Sequence, residues 1–187
     1  MKLLNYLLLF ILLSLTACKK DPTKNATLPP ATQEGKNTIG FTLDGEVWVP
    51  YAKCSSFGDP CREVLARYGA SGGAAPNGID FSFERISNGK MSWLIISSTG
   101  IGTITTTGNK IDSVGIRYKS ENSNGNNGNY TGTAQGSKLQ ITKIDIQNQI
   151  IAGEFEFVLT EDNGSGNVII LKGGRFDFMF NACKCSN

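Results

Sequence analysis

The chemically reactive side chains of this chain are cysteines and carboxylates, because the sequence contains no histidine. Histidine is the commonest general base and the commonest metal ligand in proteins. Its absence excludes the serine and cysteine hydrolases that depend on a histidine base. Five cysteines remain, and Cys18 differs from the other four in the residues that precede it.

Cys18 ends a segment that has the pattern of a bacterial lipoprotein signal peptide. Lys2 gives a basic start, and Leu3–Leu15 is almost wholly apolar but shorter than the roughly 20 residues that a membrane-spanning helix needs. Leu15-Thr16-Ala17-Cys18 has the form of a lipobox, in which the cysteine thiol receives diacylglycerol before cleavage on its amino side. We therefore predict a signal peptide over residues 1–17 and a mature chain that starts at an acylated Cys18.

Residues 18–36 connect this cysteine to the first predicted strand. They include Lys19-Lys20-Asp21 and Pro29-Pro30 and offer little apolar surface to bury, which is typical of a flexible tether. A lipoprotein cysteine carries more than one acyl chain, and each buried methylene contributes about 0.8 kcal/mol, so we expect stable attachment. The membrane, through this anchor, is the first partner that the sequence predicts.

Four cysteines lie beyond the anchor: Cys54, Cys61, Cys183 and Cys185. In an exported protein an even number favours disulfides, and four cysteines allow three connectivities. A bridge between Cys183 and Cys185 would close a very small, strained ring, so we expect at least one link between the 54–61 loop and the C-terminal tail. A zinc site with four thiolates is the alternative interpretation, but the gaps between the cysteines of each pair do not match those of typical zinc ligands. We expect no metal and no other cofactor.

The carboxylates in the predicted strands are the remaining acid–base groups. They are Asp80, Glu84, Glu154, Glu156 and Asp177. A glycosidase needs two carboxyl groups roughly 5–10 Å apart in a cleft. Because these residues alternate with apolar ones, we expect them on the solvent face and predict no catalytic residue.

Aromatic side chains could contact a sugar or a lipid. The candidates are Trp48, Trp93, Tyr51, Tyr68, Tyr118 and Tyr130. Trp48 is the strongest candidate ligand contact, because Val47 and Val49 point to the opposite face of its strand; packing beneath a loop or a second sheet is the alternative. Asp112-Ser113-Val114 matches a short pattern of O-glycosylation in Bacteroidetes, so Ser113 is a candidate site, although a strand start explains it equally well.

The elements that position these residues are predicted to be short antiparallel strands. Asp44-Gly45 lies between two alternating runs and predicts a hairpin, because a type I′ turn needs two residues that tolerate positive φ. A phase slip near Thr142-Lys143 indicates a β-bulge. Met91–Ser97 is continuously apolar and suggests a strand covered on both faces, while Cys61–Tyr68 alone suggests a helical turn. The polar run Ser120–Asn129 predicts a flexible turn.

Length and charge limit the fold and its partners. The 170 residues left after a 17-residue leader suit one domain, which we place over residues 37–187. About 9–10 strands indicate an all-β fold, a single antiparallel β-sandwich or flattened β-barrel. The formal net charge of +2, with no basic stripe, argues against a nucleic-acid partner.

Three stretches of the mature chain form a combined pattern. They are Leu28–Thr38 with the Gly45–Trp48 strand that follows, Gly153–Phe157 and Gly173–Asp177. The combination resembles a family of Bacteroidetes lipoproteins classed as a domain of unknown function, over nearly the whole mature chain. Many members carry a cysteine where this chain has Phe41, so their cysteine pairing does not transfer. The resemblance implies a lipid anchor and a β fold, and it implies no activity and no site residue.

These observations predict an envelope lipoprotein and not an enzyme. We expect a lipid-anchored, non-enzymatic binding or structural module on the outer membrane, at its periplasmic or surface face, with a cell-envelope protein or a glycan as partner. The alternative is a secreted glycan hydrolase that uses paired carboxylates. An aromatic-lined pocket without converging carboxylates would favour the binding module, and an acid pair in a deep cleft would favour the hydrolase.

Overall fold

The computed structural model describes residues 22–52, 63–69, 78–87, 90–98, 114–121, 127–132 and 137–184. These residues form eleven β-strands: β1 (Thr38–Leu43), β2 (Glu46–Trp48), β3 (Val64–Tyr68), β4 (Ile79–Ser87), β5 (Lys90–Ser98), β6 (Val114–Glu121), β7 (Asn127–Gly132), β8 (Lys138–Asp145), β9 (Ile150–Glu161), β10 (Val168–Met179) and β11 (Ala182–Lys184). The predicted all-β class is confirmed. Nowhere in the described ranges is there an apolar helix of the length that a bilayer crossing requires.

All eleven strands belong to one antiparallel sheet. The order is β11-β3-β4-β5-β6-β7-β9-β10-β1-β2, and β8 also pairs with β9. β9 is twelve residues long and carries β8 and β7 one after the other along the same edge. Between them the Ser137 hydroxyl accepts a hydrogen bond from the Val158 amide at 2.8 Å and lies 3.3 Å from the Val158 carbonyl, so the edge stays paired.

The sheet curls around a single aromatic core. Phe81 of β4 contacts Phe176 and Phe178 of β10, with ring centroids 5.3 Å apart in both pairs, although these strands are not neighbours in the sheet. Tyr51, just beyond the edge strand β2, forms a parallel bridge with Arg85 of β4. One curled sheet, rather than two separate sheets, therefore encloses the core.

Two local predictions are confirmed. Asp44 and Gly45 have φ values of 51° and 83° and form the two-residue turn between β1 and β2. Both residues adopt the left-handed backbone conformation, which the dipeptide Asp-Gly tolerates better than most residue pairs. The register of β8 against β9 shifts between Ile141 and Lys143, which is the predicted bulge.

The helical turn considered for Cys61–Tyr68 is wrong in its described part. Val64–Tyr68 is β3, in which Val64 and Ala66 are buried in the core while the residues between and after them are less buried. β3 pairs with β4 on one side and with β11 on the other. These long-range hydrogen bonds override a weak local helical pattern.

Two further expectations need correction. The strand within Met91–Ser97 is not covered on both faces, because Leu94 and Ile96 are buried while Ile95 is 36% exposed. The polar run Ser120–Asn129 is only partly a turn, since β7 already begins at Asn127 and pairs with the end of β6.

Candidate functional site

The outer face of β4–β7 carries two rows of side chains that cross the four strands. Inward-facing residues such as Phe83 and Leu94 alternate with them, which leaves the rows on the opposite face. The first row is Glu84, Trp93, Lys119 and Asn129, and the second is Ser82, Ile95, Arg117 and Thr131. Directly opposite residues in such a sheet have Cβ atoms about 4.5–5.5 Å apart, so each row forms a continuous surface.

Trp93 is the central residue of the first row. Its Nε1 donates a hydrogen bond to Oε2 of Glu84 at 3.2 Å, and Glu84 is 5% exposed. The ammonium nitrogen of Lys119 lies 5.2 Å from the Trp93 ring centroid, within the range of a cation–π contact. The Glu84 carboxylate therefore holds the indole N–H in place, and the Lys119 ammonium group lies near the ring.

The two rows line a cavity of about 690 Å³, which we call the Trp93 groove. It is lined by Ser82, Trp93, Ile95, Arg117, Tyr118, Lys119, Asn129, Tyr130 and Asp162. Asp162 is held to β7, because its amide donates to the Asn129 carbonyl at 2.8 Å and its Oδ1 accepts from the Thr131 hydroxyl at 2.7 Å. Within the described part of the chain, neither Arg117 nor Lys119 has an ion-pair partner.

A second cavity, of about 410 Å³, lies on the outer face of β8–β10, and we call it the Glu154 groove. Its polar lining residues are Lys138, Gln140, Glu154, Glu156 and Arg175. Glu154 and Glu156 stand two residues apart on one face of β9, which is about 7 Å along a strand. That spacing suits a glycosidase pair, but both side chains are exposed, whereas the acid of such a pair requires desolvation.

Asp177 is the most enclosed of the carboxylates noted in the sequence, with 1% of its surface exposed. The expectation that it lies on the solvent face is wrong, as it is for Glu84. Asp177 does point away from the core, but the segment before β1 covers it. Asp80, in contrast, is only half-buried and pairs with Arg67 at 3.4 Å.

The residues that cover Asp177 are Thr32–Lys36, which we call the Asp177 loop. The carboxylate accepts hydrogen bonds from the Thr32 hydroxyl at 2.6 Å and from the amides of Glu34 at 3.0 Å, Gly35 at 2.7 Å and Lys36 at 3.3 Å. Burial raises the pKa of Asp177, but these hydrogen bonds outweigh burial and hold the pKa below its ordinary value. A positive φ of 72° at Gly35 lets consecutive amides point at one carboxylate.

The flexible tether predicted over residues 18–36 is wrong for its described part, 22–36. Thr23 is 3% exposed, and its hydroxyl accepts a hydrogen bond from Nη2 of Arg85 at 3.2 Å. Pro29 packs on Gly40 so closely that a Cβ there would lie 2.6 Å from the proline Cδ. The chain is held along this stretch because β1, β4 and β10 supply partners for it, so the folded domain begins well before residue 37.

Trp48 belongs to the core, with 3% of its surface exposed. Its ring stacks on Phe41 at 4.8 Å, and its Nε1 donates to the Ser92 hydroxyl at 3.0 Å. The register of the hairpin places Trp48 opposite Phe41, on the inner face of the sheet. The burial supports the packing interpretation and leaves no surface at Trp48 for a ligand.

The other aromatic candidates separate into two groups. Trp93, Tyr118 and Tyr130 border the Trp93 groove, although Tyr118 is itself buried, which raises the pKa of its hydroxyl. Tyr68 packs against Phe180, with ring centroids 4.5 Å apart. Sequence reasoning missed the two cations of the groove. The alternation of inward and outward residues along β6 could have identified them, because Arg117 and Lys119 flank the inward-facing Tyr118.

No protein-family model, curated protein or solved structure matches this chain. The likeness to the Bacteroidetes lipoprotein family stays a prediction from its three motif stretches. The structure shows that two of these stretches are in contact, since the Asp177 loop belongs to the first and Asp177 to the third.

Most of the predicted covalent sites lie outside the described residues, namely Cys18, Cys54, Cys61, Ser113 and Cys185. Cys183 is part of β11. β11 pairs with β3, which begins three residues after Cys61, so the fold is compatible with a loop-to-tail link. The connectivity stays a prediction. The described residues contain no cluster of three or more metal-ligating side chains.

Proposed function

We propose that this chain is a lipid-anchored envelope lipoprotein whose domain binds acidic glycans in the Trp93 groove without catalysis. The anchor rests on the lipobox at Cys18. The binding activity rests on one observation, which is that an indole fixed by Glu84 lies beside two cations in a groove on the outer face of the sheet. An aromatic ring offers a sugar a flat apolar surface, and its polar edge is already satisfied by the protein.

The two cations favour a ligand that carries negative charge. Arg117 offers a planar fork of donors that matches a carboxylate, sulfate or phosphate, and Lys119 offers a compact ammonium group. Neither has an ion-pair partner among the described residues, so a ligand does not have to displace a protein carboxylate to reach them. Asn129 and Asp162, which also line the groove, can bind sugar hydroxyls.

Calorimetric titration tests the proposed binding with two probes, an acidic oligogalacturonate and a neutral malto-oligosaccharide of the same length. We expect the acidic probe to bind more tightly, and we expect Arg117→Gln and Lys119→Gln each to weaken its binding by about tenfold. Lys138→Gln in the Glu154 groove removes the same charge from another outer surface and should leave the affinity unchanged. Equal binding of both probes, or an equal loss in all three variants, would contradict the proposal.

Cell fractionation and intact-mass analysis test the anchor. The protein extracted from membranes should begin at Cys18 and carry acyl mass on it. A Cys18→Ala variant should lose both the lipid and the membrane association, because it lacks the thiol that receives the diacylglycerol. A variant that remained processed and membrane-bound would show that Cys18 is not the anchor.

A second candidate function is glycan hydrolysis at the Glu154 groove, which the spacing of Glu154 and Glu156 favours. Release of reducing ends from oligosaccharides measures it. If the hydrolase were the right assignment, Glu154→Gln and Glu156→Gln would each abolish release, while Lys119→Gln would leave it intact.

A further inference from the structure

We propose that one particular end of the sheet rests on the lipid leaflet that holds the acylated Cys18. This inference depends on the proposed anchor and adds which part of the domain faces the headgroups. We call this part the Gly45 end, where the Asp44-Gly45 turn and the turn between β9 and β10 lie together, because Leu43 pairs with Leu171 near the start of β10. The turn between β8 and β9, around Asn148, lies at the opposite end of β9, which we call the Asn148 end.

The N-terminal segment is fixed to the Gly45 end at Thr23. The Arg85 guanidinium bridges this residue to the first hairpin, since Nη2 donates to the Thr23 hydroxyl and Nη1 donates to the Val47 carbonyl, both at 3.2 Å. The Ala26 amide donates to the Thr23 carbonyl at 3.3 Å and closes a turn. Residues of this turn and of the hairpin, Gly45 among them, line one recess of about 470 Å³.

The length of chain between the anchor and this fixed point is short. Thr23 is five residues after Cys18, and a fully extended chain of that length spans at most about 18 Å. The headgroup layer on one side of a bilayer is itself roughly 5–8 Å thick. Thr23 therefore has to lie within about 10–13 Å of the outer surface of the headgroup layer, which keeps the Gly45 end close to the headgroups.

The residues after Thr23 cannot act as a longer spacer, because the fold binds them. Pro29 packs on Gly40, and the Asp177 loop is bound to β10 by four hydrogen bonds. β9 spans twelve residues, about 40 Å along its length, so the Asn148 end lies about two tether lengths from the Gly45 end. The domain is thus held by one end, and the other projects away from the lipid.

Chain length, and not charge, sets this orientation. The Gly45 end carries both signs, with Lys24 and Arg85 beside Asp44 and Glu46. Such a mixed surface has no strong attraction to an anionic leaflet. We therefore expect the orientation to survive high salt, which weakens electrostatic attachment.

Photo-crosslinking in the native membrane tests the orientation with the full-length, acylated chain. A benzophenone amino acid replaces Glu46, the first residue of β2 at the Gly45 end, or, as the matched control, Gln147 in the turn at the Asn148 end; both are exposed. Mass spectrometry of the peptides then detects lipid adducts. We expect adducts at position 46 at low and at high salt, and only background at position 147.

A spacer variant separates tether length from other causes. A Gly-Ser insertion longer than the domain, placed between Asp21 and Pro22, should keep the protein in the membrane fraction and reduce the adducts at position 46 to background. Equal adducts at both positions, or adducts at position 46 that survive the insertion, would overturn the orientation while the anchor stands. A parent protein that fractionates as soluble would instead overturn the proposed anchor.

Discussion

The Asp177 carboxylate and the Thr32 hydroxyl lie 2.6 Å apart although 145 positions separate them in the sequence. Through this contact the chain just before the first strand is joined to the last long strand of the sheet. The Asp177 loop adds three backbone amides to the same carboxylate. Two stretches that are remote in sequence therefore form one structural unit, and its disruption should affect both ends of the chain together.

We expect Asp177→Asn to lower the free energy of unfolding by about 2–3 kcal/mol, because an amide supplies one acceptor where the carboxylate supplies two and places an N–H group among N–H donors. Urea denaturation measures the loss. Thr32→Ser, which keeps the hydroxyl, is the conservative control and should be much less destabilising. A wild-type-like Asp177→Asn variant would mean that the Asp177 loop contributes nothing to stability.

The same carboxylate predicts a pH dependence. The folded-state pKa of Asp177 is lowered, so its stabilising contribution is fully present above the unfolded-state pKa of about 3.9 and is lost as pH falls through the folded value. Denaturation curves at a series of pH values should show the difference between wild type and Asp177→Asn shrinking below about pH 4. A difference that stayed constant down to strongly acidic pH would contradict the assignment.

The first hairpin predicts different degrees of destabilisation for two substitutions at Gly45. Gly45→Val should cost about 1–2 kcal/mol, because φ there is 83° and a β-branched residue resists the left-handed region. Gly45→Asn should cost less, since asparagine tolerates this backbone. Among the described residues, no atom lies within 4 Å of a Cβ added at this position, so thermal unfolding would measure the cost of the backbone conformation and not of a collision.

The two tryptophans should report different environments. With Trp93→Phe, the remaining Trp48 should emit at short wavelength and resist acrylamide quenching, because it is 3% exposed beside Phe41. With Trp48→Phe, the half-buried Trp93 should emit at longer wavelength and be quenched more strongly. If Trp48 alone were quenched as readily as Trp93 alone, its burial would be wrong.

The cysteines predict a covalent link between distant parts of the chain. Non-reducing peptide mapping should find Cys183 or Cys185 joined to Cys54 or Cys61, which closes a loop of more than a hundred residues. On the chain-entropy model such a loop stabilises the fold by about 4–5 kcal/mol. A bridge between Cys54 and Cys61 alone, or stoichiometric zinc in the purified protein, would refute the link.

Local signals in the sequence were sufficient for most of the strands, the first hairpin and the bulge of β8, but not for β3, β7 or β11. Asp44-Gly45 identifies its turn because few residue pairs accept two positive φ values, and alternation along β4 and β9 shows which residues share a face. These properties depend on residues close together in the chain. The anchor at Cys18 also rests on a local motif, and it stays a prediction.

The tertiary structure alone decided what covers each outer face. Period-two alternation puts Asp177 and Glu84 opposite the core, but it cannot show that the Asp177 loop buries one and that Trp93 contacts the other. It equally cannot show that Trp48 turns inward or that Arg117 and Lys119 meet Trp93 in a groove. Strand order and register between distant segments determine these contacts, and no short stretch of sequence contains them.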